Sequence, residues 1–222
     1  MSRDRYATGL WHIDGVEDMR KAVQEKLGDL YQYTPNVLRN AANNTARRVR
    51  DQLLEGARER YAESDEALLS AKQVKIRRAR EGESTAWIYS KGTLQALSKF
   101  YVAPKIPQKN VVASAHVLED TYPRQFLGRA GESKAFVVRF DSGHIALVRR
   151  MEGQEYIDGK VKTARRILGM DLTRIQEFRT VSVPTMLKHP EVVGQTKETF
   201  HTIMVEEVEK QITKFLKKGA KK

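Results

Sequence analysis

The chain has 222 residues, long enough for a sizeable apolar core, and carries 40 Lys and Arg against 28 Asp and Glu, a formal net charge of +12. The absence of cysteine excludes disulfides, thiolate zinc sites and cysteine nucleophiles, and no apolar run reaches the roughly 20 residues that a membrane-spanning helix needs. The positive charge favours an anionic partner, and we expect a soluble protein that is not exported, because its start lacks the apolar core of a signal peptide.

The first quarter of the chain predicts an arm followed by helices. Residues 1–15 mix charges, Tyr and Trp without a period, which predicts either an arm that orders only against a neighbour or a tag-like, disordered end. A short helix is predicted from Gly15 or Val16 to about Leu30, and Thr34-Pro35 is typical of the start of a second one. This second helix carries an apolar stripe at intervals of three or four residues: Leu38, Ala41, Ala42, Thr45, Val49, Leu53, Ala57 and Tyr61.

Strand patterns follow the long helix. Ser64 resembles a helix cap and predicts one or two further helical turns that end near Ala71. The segments "QVKIRRAR" and "TAWIYSKG" then alternate as strands do and predict a hairpin through residues 81–83. Residues 92–109 predict a loop with a short helical piece, and "NVVASAHVLE" predicts a further strand. The predicted inner face of the hairpin consists of Val74 and Ile76 with Trp87 or Ile88.

The stretch "FVVRFDSGHIALVRR" places Asp, Ser, Gly and His between two apolar runs. It predicts a hairpin with a two-residue turn at Ser142-Gly143, in which Asp141 faces His144. A serine nucleophile needs a base, a group that orients the base and a pair of oxyanion donors, and a turn tip does not supply them dependably. We therefore interpret Asp141, Gly143 and His144 as structural, and an enzyme that acts through His144 is the third-ranked hypothesis.

The last third of the chain predicts a charged segment, a strand and a closing helix. Glu152 to Arg166 predicts an exposed loop or hairpin tip that turns at Asp158-Gly159. "TRIQEFRTVSVPTML" begins as a strand, and a helix is predicted from Gln195 or Thr196, with a frayed basic tail from Gly219. The apolar face of this helix consists of Phe200, Ile203, Met204, Val208, Ile212 and Phe215.

These elements together predict an α+β fold, an antiparallel sheet with a long N-terminal helix and a C-terminal helix packed on it. The predicted organisation is an arm over 1–15, a single α+β domain over 16–218 with a charged insert at about 152–166, and a basic tail over 219–222.

Basic residues supply the candidate contact sites. No metal or other cofactor is predicted, because the histidines lack ligand spacing and no phosphate-binding loop is present. Spaced cations can bind a phosphate backbone, although each basic segment taken alone is more typical of a solvated face or of a complement to an acidic neighbour. The candidate contacts to DNA or to a protein partner are Arg47, Arg50, Lys75, Arg77, Arg78, Arg80, Arg149 and Arg150.

Four segments stand in an informative order: "LRNAANNTARRVRDQLLEGARERY", "KQVKIRRA", "AFVVRFDSGHIALVRR" and "IQEFRTVSVPTML". They hold a helix-ending tyrosine at Tyr61, a Gly-His turn at Gly143-His144, a closing arginine at Arg149 or Arg150 and a Ser-Val-Pro segment at 182–184. Over about residues 34 to 215 this order resembles the minor tail protein Z family of tailed bacteriophages. The N-terminal arm, the charged insert and Thr180, where a glycine is usual, depart from the family.

The resemblance implies a viral structural protein of the virion, namely a minor tail or tail completion protein at the head-proximal tail or neck. Such a protein is needed in tail assembly for head-tail joining and has no enzymatic activity. It implies a homo-oligomeric ring, a hexamer in line with tail symmetry, in contact with the tail terminator, tail tube or neck and connector proteins and with the genomic DNA end. The protein would lie in the virion, and in the host cytoplasm during assembly, with no membrane and no cofactor. The alternative hypothesis is a nucleic-acid-binding protein that uses its basic faces without catalysis.

Overall fold

The computed structural model describes residues 7–13, 15–127, 134–156 and 159–219, so that residues 1–6 of the predicted arm, Asp158 of the predicted turn and residues 220–222 of the tail lie outside the described residues. The helices are α1 (Arg20–Leu27), α2 (Thr34–Arg60), α3 (Gly159–Ile167), α4 (Val183–Leu187) and α5 (Pro190–Gly219), with short 3₁₀ helices at Glu17–Met19, Gly28–Tyr33 and Leu97–Lys99. The strands are β1 (Ala7–Ile13), β2 (Val74–Arg77), β3 (Ala86–Gly92), β4 (Leu94–Ala96), β5 (Tyr101–Ala103), β6 (Ser114–His116), β7 (Arg124–Gln125), β8 (Phe136–Arg139), β9 (Ile145–Glu155), β10 (Thr173–Glu177) and β11 (Arg179–Ser182). Within these residues, no helix is long and apolar enough to span a bilayer.

The fold is α+β, as the sequence predicts. Antiparallel strands form the sheets β1-β3-β2, β5-β6-β7 and β10-β9-β8, and β11 lies beside β4 in a two-stranded sheet. The chain divides into two compact units: unit 1 combines the chain up to Glu59, Ala67–Thr93 and the chain from Ser182, and unit 2 combines Arg60–Glu66 and Leu94–Val181. The single domain over 16–218 stays a prediction, because two compact units of one chain can still unfold in one cooperative transition.

The long helices α2 and α5 lie side by side in unit 1. Asn44 Nδ2 donates a hydrogen bond to Glu207 (3.1 Å), and the Thr199 hydroxyl donates one to Gln52 (3.0 Å). The second contact lies later in α2 but earlier in α5 than the first, so the two helices are antiparallel. The predicted helical stripe is confirmed up to Ala57, because its members on α2 are buried: Leu38, Ala41, Ala42, Thr45, Val49, Leu53 and Ala57. Tyr61 is also buried, but it follows the end of α2 at Arg60 and forms a β-bridge with Leu118.

The helix ends follow local chemistry. α1 ends at Leu27, before the predicted Leu30, because Gly28 takes a φ of +54° that favours glycine. α5 begins at Pro190 and not at Gln195 or Thr196, since a proline in the first helical turn needs no N–H partner. The predicted apolar face of α5 is confirmed: Ile203, Met204, Val208 and Ile212 are buried, and Phe200 and Phe215 are half-buried.

Residues 7–13 form a strand, so the prediction of an arm over 1–15 that orders only against a neighbour is wrong for this segment. β1 pairs with β3, with Ile13 opposite Ala86, and β2 pairs with the other edge of β3, with Ile76 opposite Ile88. The second pairing confirms the predicted hairpin. Ile13, Val74 and Ile88 share one face and are buried, and α4 packs against β1 and β3.

Two predicted segments take other structures. Residues 66–69 form turns and not the helical turns predicted after Ser64. The predicted exposed loop over 152–166 is also wrong, since β9 continues to Glu155 and α3 begins at Gly159, where the sequence predicts a turn. Helix α3 forms because Lys, Ala and Arg are good helix formers. The Asp-Gly pair before it is typical of a turn, which is why the sequence predicts a turn there.

The β8–β9 hairpin is present with a register one residue away from the prediction. Val138 pairs with Ala146, and the Phe140 N–H donates to the His144 carbonyl (2.8 Å), which leaves a three-residue loop over 141–143. Gly143 has a φ of +82°, as the last residue of such a loop requires. The predicted Asp141–His144 pair is therefore wrong, because His144 lies opposite Phe140, with the two rings stacked at 5.8 Å between centroids.

Gly143→Val is expected to destabilise unit 2 by about 1–3 kcal/mol, because a β-branched residue is strained at positive φ. A Cβ at Gly143 would meet no atom within 4 Å, so the cost arises in the backbone. Urea unfolding measures the change, with Ser142→Ala at the exposed neighbouring position as the control that leaves stability within about 0.5 kcal/mol. Equal stability of the two variants would contradict the assigned turn.

Candidate nucleic-acid and partner surfaces

A basic surface in unit 1 is built around Asn43. The Asn43 side chain accepts a hydrogen bond from the Ala79 N–H (2.8 Å) and donates one to the Ala79 carbonyl (3.2 Å), which fixes the segment after β2 against α2. Residues three or four apart on a helix lie on one face, so the arginines that flank Ala79 come beside those that share the Asn43 face. We call this set the α2 basic face: Arg39, Arg47, Arg50, Arg78 and Arg80.

Side chains on the α2 basic face differ in their availability. Arg47, Arg78 and Arg80 are exposed. Arg50 donates from Nε (2.8 Å) and Nη2 (2.6 Å) to Asp51, which offsets part of its charge. The surface can hold a polyanion by charge, but hydrogen bonds to phosphate from such side chains carry no base information.

The β1-β3-β2 sheet carries cations and aromatic rings on the face opposite its buried one. Directly opposite residues of antiparallel strands share a face, so two rows cross the three strands. We call these residues the outer sheet face: Leu10, Tyr89 and Lys75 in one row, and His12, Trp87 and Arg77 in the other. The His12 and Trp87 rings lie 3.8 Å apart between centroids, and the Arg77 guanidinium lies 5.8 Å from the Trp87 ring.

Arg149 and Arg150 belong to unit 2 and make contacts inside it. Arg149 donates to Gln176 (3.4 Å) and lies over the Phe178 ring at 5.7 Å. Arg150 pairs with Asp171 and lies over the Phe136 ring at 5.4 Å. Both guanidinium groups therefore have contacts that hold the strands of the β10-β9-β8 sheet and its flanks together.

Polar contacts attach α3 to the ends of β9 and β10 in unit 2. Lys162 pairs with Glu155 (2.8 Å), and this hydrogen bond lowers the pKa of the Glu155 carboxyl. Arg165 donates to the Asp171 carbonyl (2.7 Å) and lies 4.8 Å from the Tyr156 ring centroid. Hydrogen bonds from Thr173 hold the pKa of the Asp171 carboxyl below its ordinary value, and the nearby Arg150 and Arg165 guanidinium groups lower it further.

The apolar side chains of α3 point to solvent, and none of its residues is buried. Gly169 takes a φ of +62° and donates to the Arg166 carbonyl (3.2 Å), while the Met170 N–H donates to the Arg165 carbonyl (2.8 Å). This is the Schellman pattern of a helix end, and it turns Met170 back toward the last turn. The four exposed side chains form what we call the α3 apolar tip: Val161 (38% exposed), Ile167 (78%), Leu168 (71%) and Met170 (49%).

In the β8–β9 hairpin, His144 lies beside Glu177 and Ser142 lies beside the backbone of His144. His144 Nε2 lies 3.0 Å from Glu177 Oε1, and the Ser142 hydroxyl lies 3.5 Å from the backbone N–H of His144. The serine thus faces the backbone and the imidazole faces a carboxylate, which is not the order of a nucleophile and its base. Among the described residues, no cluster of three or more His, Asp or Glu side chains could hold a metal ion.

The sequence analysis missed the α3 apolar tip and four of the six residues of the outer sheet face, since it named only Lys75 and Arg77 as candidate contacts. Val161 and Leu168 stand seven residues apart in a segment dominated by charge, and that spacing was the available signal. The alternation of Trp87 and Tyr89 was equally readable, but their partners on β1 required the long-range pairing of residues 7–13.

Comparisons with protein-family models, with curated proteins and with solved structures find no match to this chain. The resemblance to the minor tail protein Z family therefore stays a prediction that rests on the order of the four sequence segments.

Proposed function

We propose that the protein is a non-enzymatic structural protein of the head-proximal tail or neck of a phage virion, which completes the tail and helps it join the head by assembling into a ring. The order of sequence motifs supports the placement in a phage tail. One structural observation supports assembly most strongly, namely that the α3 apolar tip faces solvent.

The tip has the properties of an assembly contact. An amphipathic helix normally buries its apolar side on its own protein and turns its charges outward. In α3 the charged side chains Lys162 and Arg165 bind the ends of β9 and β10, while Ile167 and Leu168 are 78% and 71% exposed. Contiguous exposed apolar side chains mark interaction sites, and a ring of identical chains buries such a contact once at every joint.

Self-association would not exclude further partners. A ring at the head-proximal end would meet the tail terminator, the tail tube or the neck and connector proteins, and its basic charge suits acidic neighbours or the genomic DNA end. These partners rest on the resemblance.

Phage particles test this function. A phage that lacks this protein is expected to accumulate heads and tails that are not joined, visible by electron microscopy, and wild-type protein supplied in trans is expected to restore joined particles. Joined, infectious particles in its absence would exclude the proposal. Neighbouring genes for a tail terminator, major tail protein and tape measure would support it.

Duplex nucleic-acid binding is the second candidate function, and the Asn43–Ala79 hydrogen bonds that bring two basic segments together favour it. Isolated protein would then bind duplex DNA with a steep salt dependence, and removal of charge at Arg47, Arg78 and Arg80 would flatten the slope by about one unit per lost phosphate contact. Binding that is independent of salt and of these arginines would exclude it.

A further inference from the structure

The outer sheet face combines side chains that separately suit bases and phosphates. Tyr89 is 39% exposed and Leu10 is 49% exposed, although large apolar groups of a sheet are normally covered. Trp87 is half-buried, with His12 against its ring. These groups offer aromatic surface to a ligand.

The geometry of β3 spaces its aromatic side chains regularly. Trp87 and Tyr89 are two residues apart on one strand, so they project from the same face at a distance of about 7 Å. A single strand whose bases are separated from each other can place one base on each ring. A duplex cannot do so, because its bases are stacked on one another inside the helix.

Cations lie on one side of these rings. Strand β2 is at the edge of the sheet, and it places Lys75 opposite Tyr89 and Arg77 opposite Trp87. Both cations are exposed; Arg77 pairs with Glu83 (3.6 Å) and lies 5.8 Å from the Trp87 ring. A phosphate backbone that follows β2 would therefore meet a positive charge beside each aromatic ring.

We propose that the outer sheet face binds single-stranded nucleic acid, with bases stacked on Trp87 and Tyr89 and phosphates on Lys75 and Arg77. Stacking on aromatic side chains beside a cationic track is the general chemistry of single-strand binding without sequence preference. The proposal uses no residue of the α2 basic face or of the α3 apolar tip, so it does not rest on ring assembly or on duplex binding.

Fluorescence anisotropy of the full chain with a labelled oligothymidylate of about 12 nucleotides tests the inference. Tyr89→Ala is expected to weaken binding roughly tenfold, because it removes the ring on which one base stacks. Lys75→Gln is expected to weaken binding and to reduce the salt dependence. Oligothymidylate is expected to quench tryptophan fluorescence in the native chain, and this quenching is expected to disappear in Trp87→Phe.

Tyr122→Ala is the matched control, because Tyr122 is 96% exposed in unit 2. Equal affinity of Tyr89→Ala and Tyr122→Ala would overturn the inference, as would binding of a duplex of the same length as tightly as the single strand. If Tyr89→Ala changes the oligomeric mass and leaves DNA affinity unchanged, a second copy of the chain occupies this face and the inference is wrong. Far-UV circular dichroism confirms that each variant is folded.

Discussion

Replacement of Ile167 and Leu168 together by Asp is expected to convert the proposed ring into folded monomers. These side chains are 78% and 71% exposed, so the substitutions remove no contact from the core of unit 2. Burial of a large aliphatic side chain contributes about 1.5–3 kcal/mol, so the two changes weaken each joint by roughly 3–6 kcal/mol before any cost of burying the new charges. Light scattering on a size-exclusion column measures the mass, and circular dichroism checks the fold.

The control is Ile106→Asp, at another exposed isoleucine of unit 2. It introduces one Asp outside the α3 apolar tip, half of the negative charge that the double variant adds, and is expected to leave the mass of the assembly unchanged. An unchanged oligomer in the double variant would show that the tip is not the contact between copies. Equal dissociation of both variants would point to added negative charge, and not to the tip, as the cause.

Leu53→Ala is expected to lower the free energy of unfolding by about 2–5 kcal/mol, the range for a large aliphatic side chain removed from a packed core. Leu53 lies on α2 with no exposed surface, in the stripe that the long helix buries. Its neighbours Val49 and Ala57 are also buried, so little solvent can enter to relieve the cavity. Urea denaturation followed by circular dichroism gives the difference.

Leu216→Ala is the matched control, since Leu216 stands near the end of α5 and is 39% exposed. Its loss is expected to change the free energy of unfolding by less than about 1 kcal/mol. If Leu53→Ala is no more destabilising than this control, the buried stripe of α2 is not part of the stabilising core.

Long amphipathic helices were predictable from the sequence because their signal is local and repeats over many turns. The α2 stripe from Leu38 to Ala57 and the α5 face from Ile203 to Ile212 are both buried as expected. The β2–β3 hairpin was predictable for a related reason, since two alternating segments stood close together in the chain.

Features set by distant pairing could not be predicted in the same way. Strand β1 pairs with β3 across more than 70 residues, and nothing within residues 7–13 identifies that partner. The β8–β9 register depends on a choice between a two-residue and a three-residue loop, and both place Gly143 at a positive φ. Pairing of the apolar residues alone favoured the two-residue loop, whereas the structure has the three-residue loop.

The candidate surfaces also combine features that the sequence shows with features that only the structure shows. Residue type marked the cations, but only the structure separates Arg78, beside the Asn43–Ala79 hydrogen bonds, from Arg149, which lies over the Phe178 ring inside unit 2. The exposure of the α3 apolar tip depends on which side of α3 binds β9 and β10. A helical wheel cannot give that orientation, because it does not show which residues of α3 contact β9 and β10.

The mass of the purified full chain, measured by native mass spectrometry and accompanied by negative-stain images, tests the central proposal most directly. We expect a closed ring with the mass of about six chains. A strict monomer at all concentrations tested, with no rings in the images, would contradict it.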